Sequence, residues 1–531
     1  MIFQLVNQVG GLPNIIYLLS MDKDIVVGAL EKVQKCNGEE YLEKIVQVPF
    51  SIPKLDKKRI HELFFYKLDE IIERRGKVIF DENYWSMIYH KCVNPFLNTI
   101  RDVNRIINIF QFKYNLVADE VNFVDMIAIT VLQVLKPDIY QWIIEHKDSI
   151  CGSSYDVYGI SYTEQNSNKK KYIERILNIG GEETLEIISV LFPKVDKEVN
   201  NSYQIIHEDE LRKNKRMANI DKFELYFSLD ISNIAVPNSV MIRSLNHMNN
   251  KEIEVLFDEL NNNKKIISYL KELKSYIEEV PSDRISFLIY SLYKNMHTFE
   301  GETSNSIISI TAERHARYCI DSLFKRVETQ EKKYEIYNDI ICSADFNTLC
   351  SLAEGINRIE LDYGRLAGKG ENVGEDGKFI NIHQLEELEK MYVNRIKELI
   401  IEGHSIFECE RLYFIVYLWK NFERMTCIEY FNQILGESNN ILKFIIRMSS
   451  IWTGTRGRGW SFPEDNYKEF IPKEKIIYMI KKYFKGNIVE EFSDEEEAKL
   501  ASFILGCDSP EWGSVTESEA TKFIKKMKLE N

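Results

Sequence analysis

NPFLNTIRDVNRIINIF, Asn94 to Phe110, is the stretch from which the rest of the chain is read. Thr99-Ile-Arg-Asp102 fits the pattern [S/T]-x-x-[D/E], in which a hydroxyl and a carboxylate satisfy amides that the first helical turn leaves without partners. A helix is therefore expected to begin at Thr99. Ile100, Val103, Ile106, Ile107 and Phe110 recur three and four residues apart and lay one apolar stripe against a core. Arg101 and Arg105 fall off that stripe, one turn apart on the same side. A cation in the first turn faces the positive end of the helix dipole, which costs about 0.3–1 kcal/mol unless an anion lies nearby. Arg101 needs an anionic partner, and a neighbouring Asp or Glu and a phosphate are the two candidates.

The 531 residues suit two to four domains with ample material for a core. Lys and Arg number 68 against 82 Asp and Glu, a net charge of −14 that argues against nonspecific nucleic-acid binding by the whole chain. Partner proteins, self-assembly or small molecules fit that charge better. Nine cysteines are scattered without a C-x-x-C pair, the usage of a reducing cytoplasm. Nine histidines include no H-x-x-x-H, so no metal site is expected. No positive charge precedes Lys23, which excludes a signal peptide of the usual form. Val124 to Leu135 is too short to span a bilayer. The chain reads as cytoplasmic, with no membrane span.

Upstream of the opening stretch, Ile15 to Leu19 is an apolar run after Gly10-Gly11 and Pro13, and it reads as a buried parallel strand. Ligands gather at the carboxyl ends of such strands, here Ser20 and Asp22; the plainer reading has Asp22 or Asp24 capping the next helix, Ile25 to Lys35. Val46, Val48, Phe50 and Ile52 alternate as a second short strand. Asp56 caps a helix bearing Ile60, Leu63, Phe64, Leu68, Ile71 and Ile72, which stops at Gly76. Residues 1–53 thus hold a helix, a strand, a helix and a strand, too little sheet to stand alone with both faces covered. They read as the last portion of a larger α/β domain.

LPNIIYLLSMDKDIVVGAL, EEYLEKIVQVPFSIP and NPFLNTIRDVNRIINIF, in that order and followed by VNFVDMIAITVLQVLKPDIYQWI, resemble the C-terminal half of the KAP family of P-loop NTPases over roughly residues 1–150. A weaker likeness lies near KRMANIDKFELYFSL. The resemblance implies ATP and Mg²⁺ as ligands, held by a Walker A loop and a Walker B strand that would precede Met1. It places Asp22 at the end of a sensing strand and Arg101, helped by Arg105, in a helical lid that senses the γ-phosphate. Lys44 is a weaker candidate. The chain departs from the family by lacking both Walker motifs. Its nearest decoy, Gly364-Arg-Leu-Ala-Gly368-Lys369-Gly370, has one residue too few between the glycines and a Gly where Mg²⁺ binding needs a hydroxyl. No catalytic residue is assigned, and ATP hydrolysis by this chain alone is not expected.

Farther on, Tyr155 to Asn168 reads as a polar junction, with helices resuming at Tyr172 and a loop over Pro193 to Asn201. The basic run Arg212 to Arg216 reads as a solvated face, and Lys222 to Leu229 as a short strand or extended segment. After Pro237 the pattern is amphipathic helix without a fixed repeat. Gly364 to Lys378 reads as a mobile surface loop. In Thr453 to Trp460, Arg456 and Arg458 stand among glycines and could grip phosphate or an acidic partner; the plainer reading is a turn with Trp460 packed on the domain. Ser493-Asp-Glu-Glu-Glu497 reads as an acidic helix start.

The expected fold is mainly α, with a small α/β remnant of a P-loop NTPase domain at the N-terminus and a large multi-helical region after it. The expected parts are residues 1–55 (remnant of the α/β core), 56–153 (helical lid), 170–330 and 331–531 (helical domains). The expected function is that of a KAP-type signalling or anti-phage ATPase lacking its own phosphate cradle. The alternative is a nonenzymatic helical protein-interaction scaffold.

Overall fold

The computed structural model describes residues 14–34, 37–53, 56–76, 78–152, 162–200, 206–228, 234–301, 311–365, 374, 377–454, 456–488, 490–507 and 515–529. Helices dominate, and among the described residues the strands form one two-stranded sheet, Ser450–Gly454 paired antiparallel with Gly457–Ser461. The mainly α reading holds.

The chain divides into two compact units, Met1–Arg74 with Phe96–Ile107, and Arg75–Pro95 with Asn108–Asn531. In the first unit, Ile15 to Leu19 and Val46 to Ile52 are not strands. A strand persists only when neighbours take up its amides and carbonyls, and among the described residues neither segment has such a neighbour. Their apolar side chains stay in the open: Ile16 and Leu18 are each 95% exposed, Phe50 85% and Ile52 87%. The helix Lys23–Gln34 begins two residues before Ile25, the expected start. Lys57–Arg75 follows Asp56 and ends at Gly76, whose φ of 83° suits a residue without a Cβ. Ile60, Phe64, Leu68 and Ile71 are its buried stripe.

In the second unit, Phe123–Leu135 is capped by Asn122, whose side chain accepts from the amides of Val124 and Asp125. Every residue from Phe123 to Leu132 is buried, as befits a helix apolar all round. The helix Tyr162–Leu191 starts ahead of Tyr172 and breaks at Gly180 and Gly181. Pro193–Asn200 is a helix rather than a loop, because proline at a first helical position gives up only an amide the first turn does not use. Lys222 to Ser228, the described part of the expected extended segment Lys222 to Leu229, is not extended: turns lead into the short helix Leu225–Ser228, which buries Leu225 and Tyr226.

The basic run Arg212 to Arg216 is not the solvated face expected of it. Arg212 and Lys215 are buried, the Arg216 side chain is nearly so, and each finds an acceptor outside the run. The Asp125 carboxylate, wholly buried, accepts from Arg216 Nε at 3.0 Å, from the Met217 amide at 2.6 Å and from the Tyr84 hydroxyl. Arg216 lies 3.6 Å from the Tyr84 ring centre, so the cation is also held by an aromatic face. Arg212 donates to Asp221 at close range, and Lys215 donates to the Asp119 carbonyl. Charges buried this way are tolerated when a counter-charge or a hydrogen-bond acceptor meets them.

From Asn238 onward the helices share one apolar core reaching Ile524. Ser493 caps Asp494–Cys507, its hydroxyl accepting from the Glu496 amide at 3.2 Å, as the acidic helix start predicts. Most of Gly364 to Lys378 lies outside the described residues.

Candidate functional site

The helix Ile100–Val117 begins where Thr99 and Asp102 predict. Thr99 Oγ1 accepts from the Asp102 amide at 3.1 Å and donates to the Asp102 carboxylate at 2.7 Å. The cap is thus half of the reciprocal pair: the carboxylate meets the hydroxyl. Leu97, Val103, Ile106 and Phe110 are fully buried and set the orientation of this helix start. Arg101 and Arg105 are exposed, and neither forms an ion pair or a side-chain hydrogen bond among the described residues. The acid beside Arg101, Asp102, is engaged in the cap. What remains is a guanidinium in the first helical turn with a second one turn later, facing the positive end of the dipole, a place suited to an anion.

Asp22 follows the plainer expectation. Its Oδ1 accepts from the amides of Asp24 at 3.1 Å and Ile25 at 3.2 Å, so it caps Lys23–Gln34. No hydrogen bond or ion pair joins Asp22 to Arg101 or Arg105 among the described residues. Lys44 is exposed at the C-cap of Gly38–Glu43, where a lysine meets the negative helix end. Among the described residues no group of three or more His, Cys, Asp or Glu is placed to hold a metal ion.

Arg456 lies at the turn of the hairpin Ser450–Gly454 and Gly457–Ser461, and Arg458 lies in its second strand, opposite Thr453. Trp460, directly after them, is buried, and the Arg458 guanidinium sits 5.7 Å from its ring centre. Sequence reading missed what faces the two arginines: Lys522 and Lys525, on the helix Glu517–Leu529, line the same open cleft of about 550 Å³. The available signal was Thr516-Glu-Ser-Glu519, the same capping pattern as at Thr99, which marks a helix start; nothing local tells that this helix packs beside the hairpin.

A stretch of 153 residues, 27% of this chain, is 24% identical to the phage T7 exclusion protein of Escherichia coli (strain K12). That stretch spans 19% of the relative's length, about a fifth. No solved structure matches. No helix of the described residues is long and apolar enough to cross a membrane. Residues 1–117, the segment that carries Asp22, Arg101 and Arg105, match the KAP family P-loop domain.

Proposed function

We propose that residues 1–117 are the lid and sensing part of a KAP-type P-loop NTPase, with Arg101 meeting the γ-phosphate of ATP and Arg105 adding a second positive charge one turn away. The observation that carries this reading is the exposed, uncompensated Arg101 in the first turn of a capped helix inside the matching segment. The exposed apolar side chains between Ile15 and Ile52 support it as well, since an apolar surface of that kind marks a docking site and suits the remainder of an α/β nucleotide core. The 531 residues contain no G-x-x-x-x-G-K-[S/T], so neither the cradle for the phosphates nor the hydroxyl for Mg²⁺ comes from them. No catalytic step is assigned to this chain alone. The cradle comes from polypeptide outside these residues, in the same chain or another.

In this reading the helical region after residue 117 is the effector or partner-binding part, and the nucleotide state governs it from the cytoplasm. Likeness to a protein named for phage exclusion supports anti-phage defence as the setting. A second reading, a nonenzymatic helical scaffold, is favoured by the missing cradle. The DNA preceding the Met1 codon separates the two. An in-frame G-x-x-x-x-G-K-[S/T] followed by an apolar strand with acidic residues at its end supports the enzyme. A reading frame without either motif, together with phage plating unchanged by Arg101→Ala, sinks it.

A further inference from the structure

The cleft between the hairpin and the last helix has a chemistry that residues 1–117 do not explain. One wall is the hairpin, with Arg456 at its turn and Arg458 in the second strand; the other is the first three turns of Glu517–Leu529, with Thr521, Lys522 and Lys525. Four cations converge here in a chain whose net charge is −14. Lys522 and Lys525 form no ion pair among the described residues, and Arg458 reaches Glu495 only at 3.8 Å. One carboxylate, Glu517, lines the cleft against them.

The two walls are held together by a contact that only glycine permits. Gly459 bridges to Thr516, and a Cβ at Gly459 would lie 2.2 Å from the Val515 carbonyl oxygen and 2.9 Å from the Trp452 ring. The helix start is therefore pressed against the second strand, and the arginines face the lysines across a fixed gap. Thr516 completes a capping box: its amide donates to the Glu519 carboxylate at 2.7 Å and its hydroxyl accepts from the Glu519 amide at 3.3 Å. The Glu519 carboxyl is held below its ordinary value first by the Thr516 amide and hydroxyl, with Arg456 and Lys522 adding to the effect. The amides of Glu517 and Ser518, the first two of the helix, have no acceptor among the described residues, and helix amides of this kind receive anions.

We propose that this cleft binds a small polyphosphate anion, its phosphoryl oxygens taken by Arg456 and Arg458 on one side and by Lys522 and Lys525 on the other. A volume of about 550 Å³ is that of a small-molecule site. Farther along the same helix Lys528 is taken by Glu497 at 2.7 Å, which shortens the basic track that a nucleic-acid backbone would follow. Trp452 and Trp460 are buried, so the site offers no open tryptophan on which a base could stack. The phosphate chain, whether of a nucleotide or inorganic, is the recognised part.

Isothermal titration of the full chain with inorganic tripolyphosphate at low salt tests this. Native protein binds. Arg456→Ala/Arg458→Ala and Lys522→Ala/Lys525→Ala each weaken binding by about tenfold or more, while Glu517→Gln tightens it. All five positions are exposed, so circular dichroism stays unchanged. Gly459→Ala, which separates the walls, weakens binding as well. ATP binding as tightly as tripolyphosphate, with adenosine silent, supports a nucleotide's phosphate tail as the source. Tripolyphosphate binding more tightly than ATP points to the inorganic chain. No binding by native protein, or native affinity in both double variants, overturns the proposal. Single-stranded DNA that binds more tightly than tripolyphosphate and is lost in the same variants overturns the assigned ligand class.

Discussion

The Asp102 carboxylate accepts the Thr99 hydroxyl at 2.7 Å, which commits to the helix cap the one acid in the turn that also holds Arg101. Arg101 is left exposed at the positive end of the helix.

If no protein anion compensates Arg101, replacing it by an acid relieves the dipole mismatch. Arg101→Glu is expected to slow hydrogen exchange of the amides from Val103 to Ile107 by roughly twofold to fivefold, matching about 0.3–1 kcal/mol of added helix stability. Faster exchange in this variant would reveal a carboxylate partner for Arg101 and remove the reason to look for a phosphate.

Asp125 and Arg216 form a buried pair with Tyr84 stacked on the cation. Asp125→Asn leaves that guanidinium without its counter-charge and is expected to cost roughly 3 kcal/mol, read as a drop in the urea midpoint followed by circular dichroism. The double replacement Asp125→Asn/Arg216→Met recovers part of the loss, because it removes the cation left without a counter-charge while the Asn side-chain oxygen still accepts from a buried donor at this site. Equal instability of the single and double variants would show that this site is not governed by charge.

Glu360 is buried in the helix Phe346–Asp362, and its carboxyl is pushed up to about 8, first by burial, then by its hydrogen bond to Glu389 and that group's charge, with Arg365 opposing. A folded value above the unfolded one means that the native state holds a proton the unfolded chain has released, so stability is full below the ordinary carboxylate range. It is lost as pH rises from about 4.5 to about 8. Urea midpoints measured across that range should fall in native protein and flatten in Glu360→Gln. The same slope in both proteins would place the titration elsewhere.

What the sequence made legible was local. The helix starts at Thr99 and Ser493 follow from hydroxyls and acids three residues apart, and the end at Gly76 from a residue free to adopt positive φ. The polar cluster around Asp125 was not legible, because Arg216 finds its acceptor 91 residues away and Lys215 finds its own 96 away. A charged run therefore looked like a solvated face. Ile15 to Leu19 carries the composition of a strand, but strand formation depends on a neighbour, which no pattern within five residues supplies. At the C-terminal cleft, Arg456 and Arg458 stood out among their glycines. Lys522 and Lys525 did not, because a lysine on an amphipathic helix looks the same whether it faces water or a site.

The most direct measurement is steady-state ATP hydrolysis with native Arg101 and with Arg101→Ala, in the 531-residue chain alone and in the assembly that includes the phosphate cradle. No turnover above background is expected from the chain alone. In the complete assembly, Arg101→Ala lowers kcat on the order of 10³-fold, the loss expected when a guanidinium that stabilises the transferring phosphoryl group is removed, with the melting temperature unchanged. An unaffected rate in the complete assembly, or hydrolysis by the 531-residue chain alone that Arg101→Ala abolishes, would contradict it.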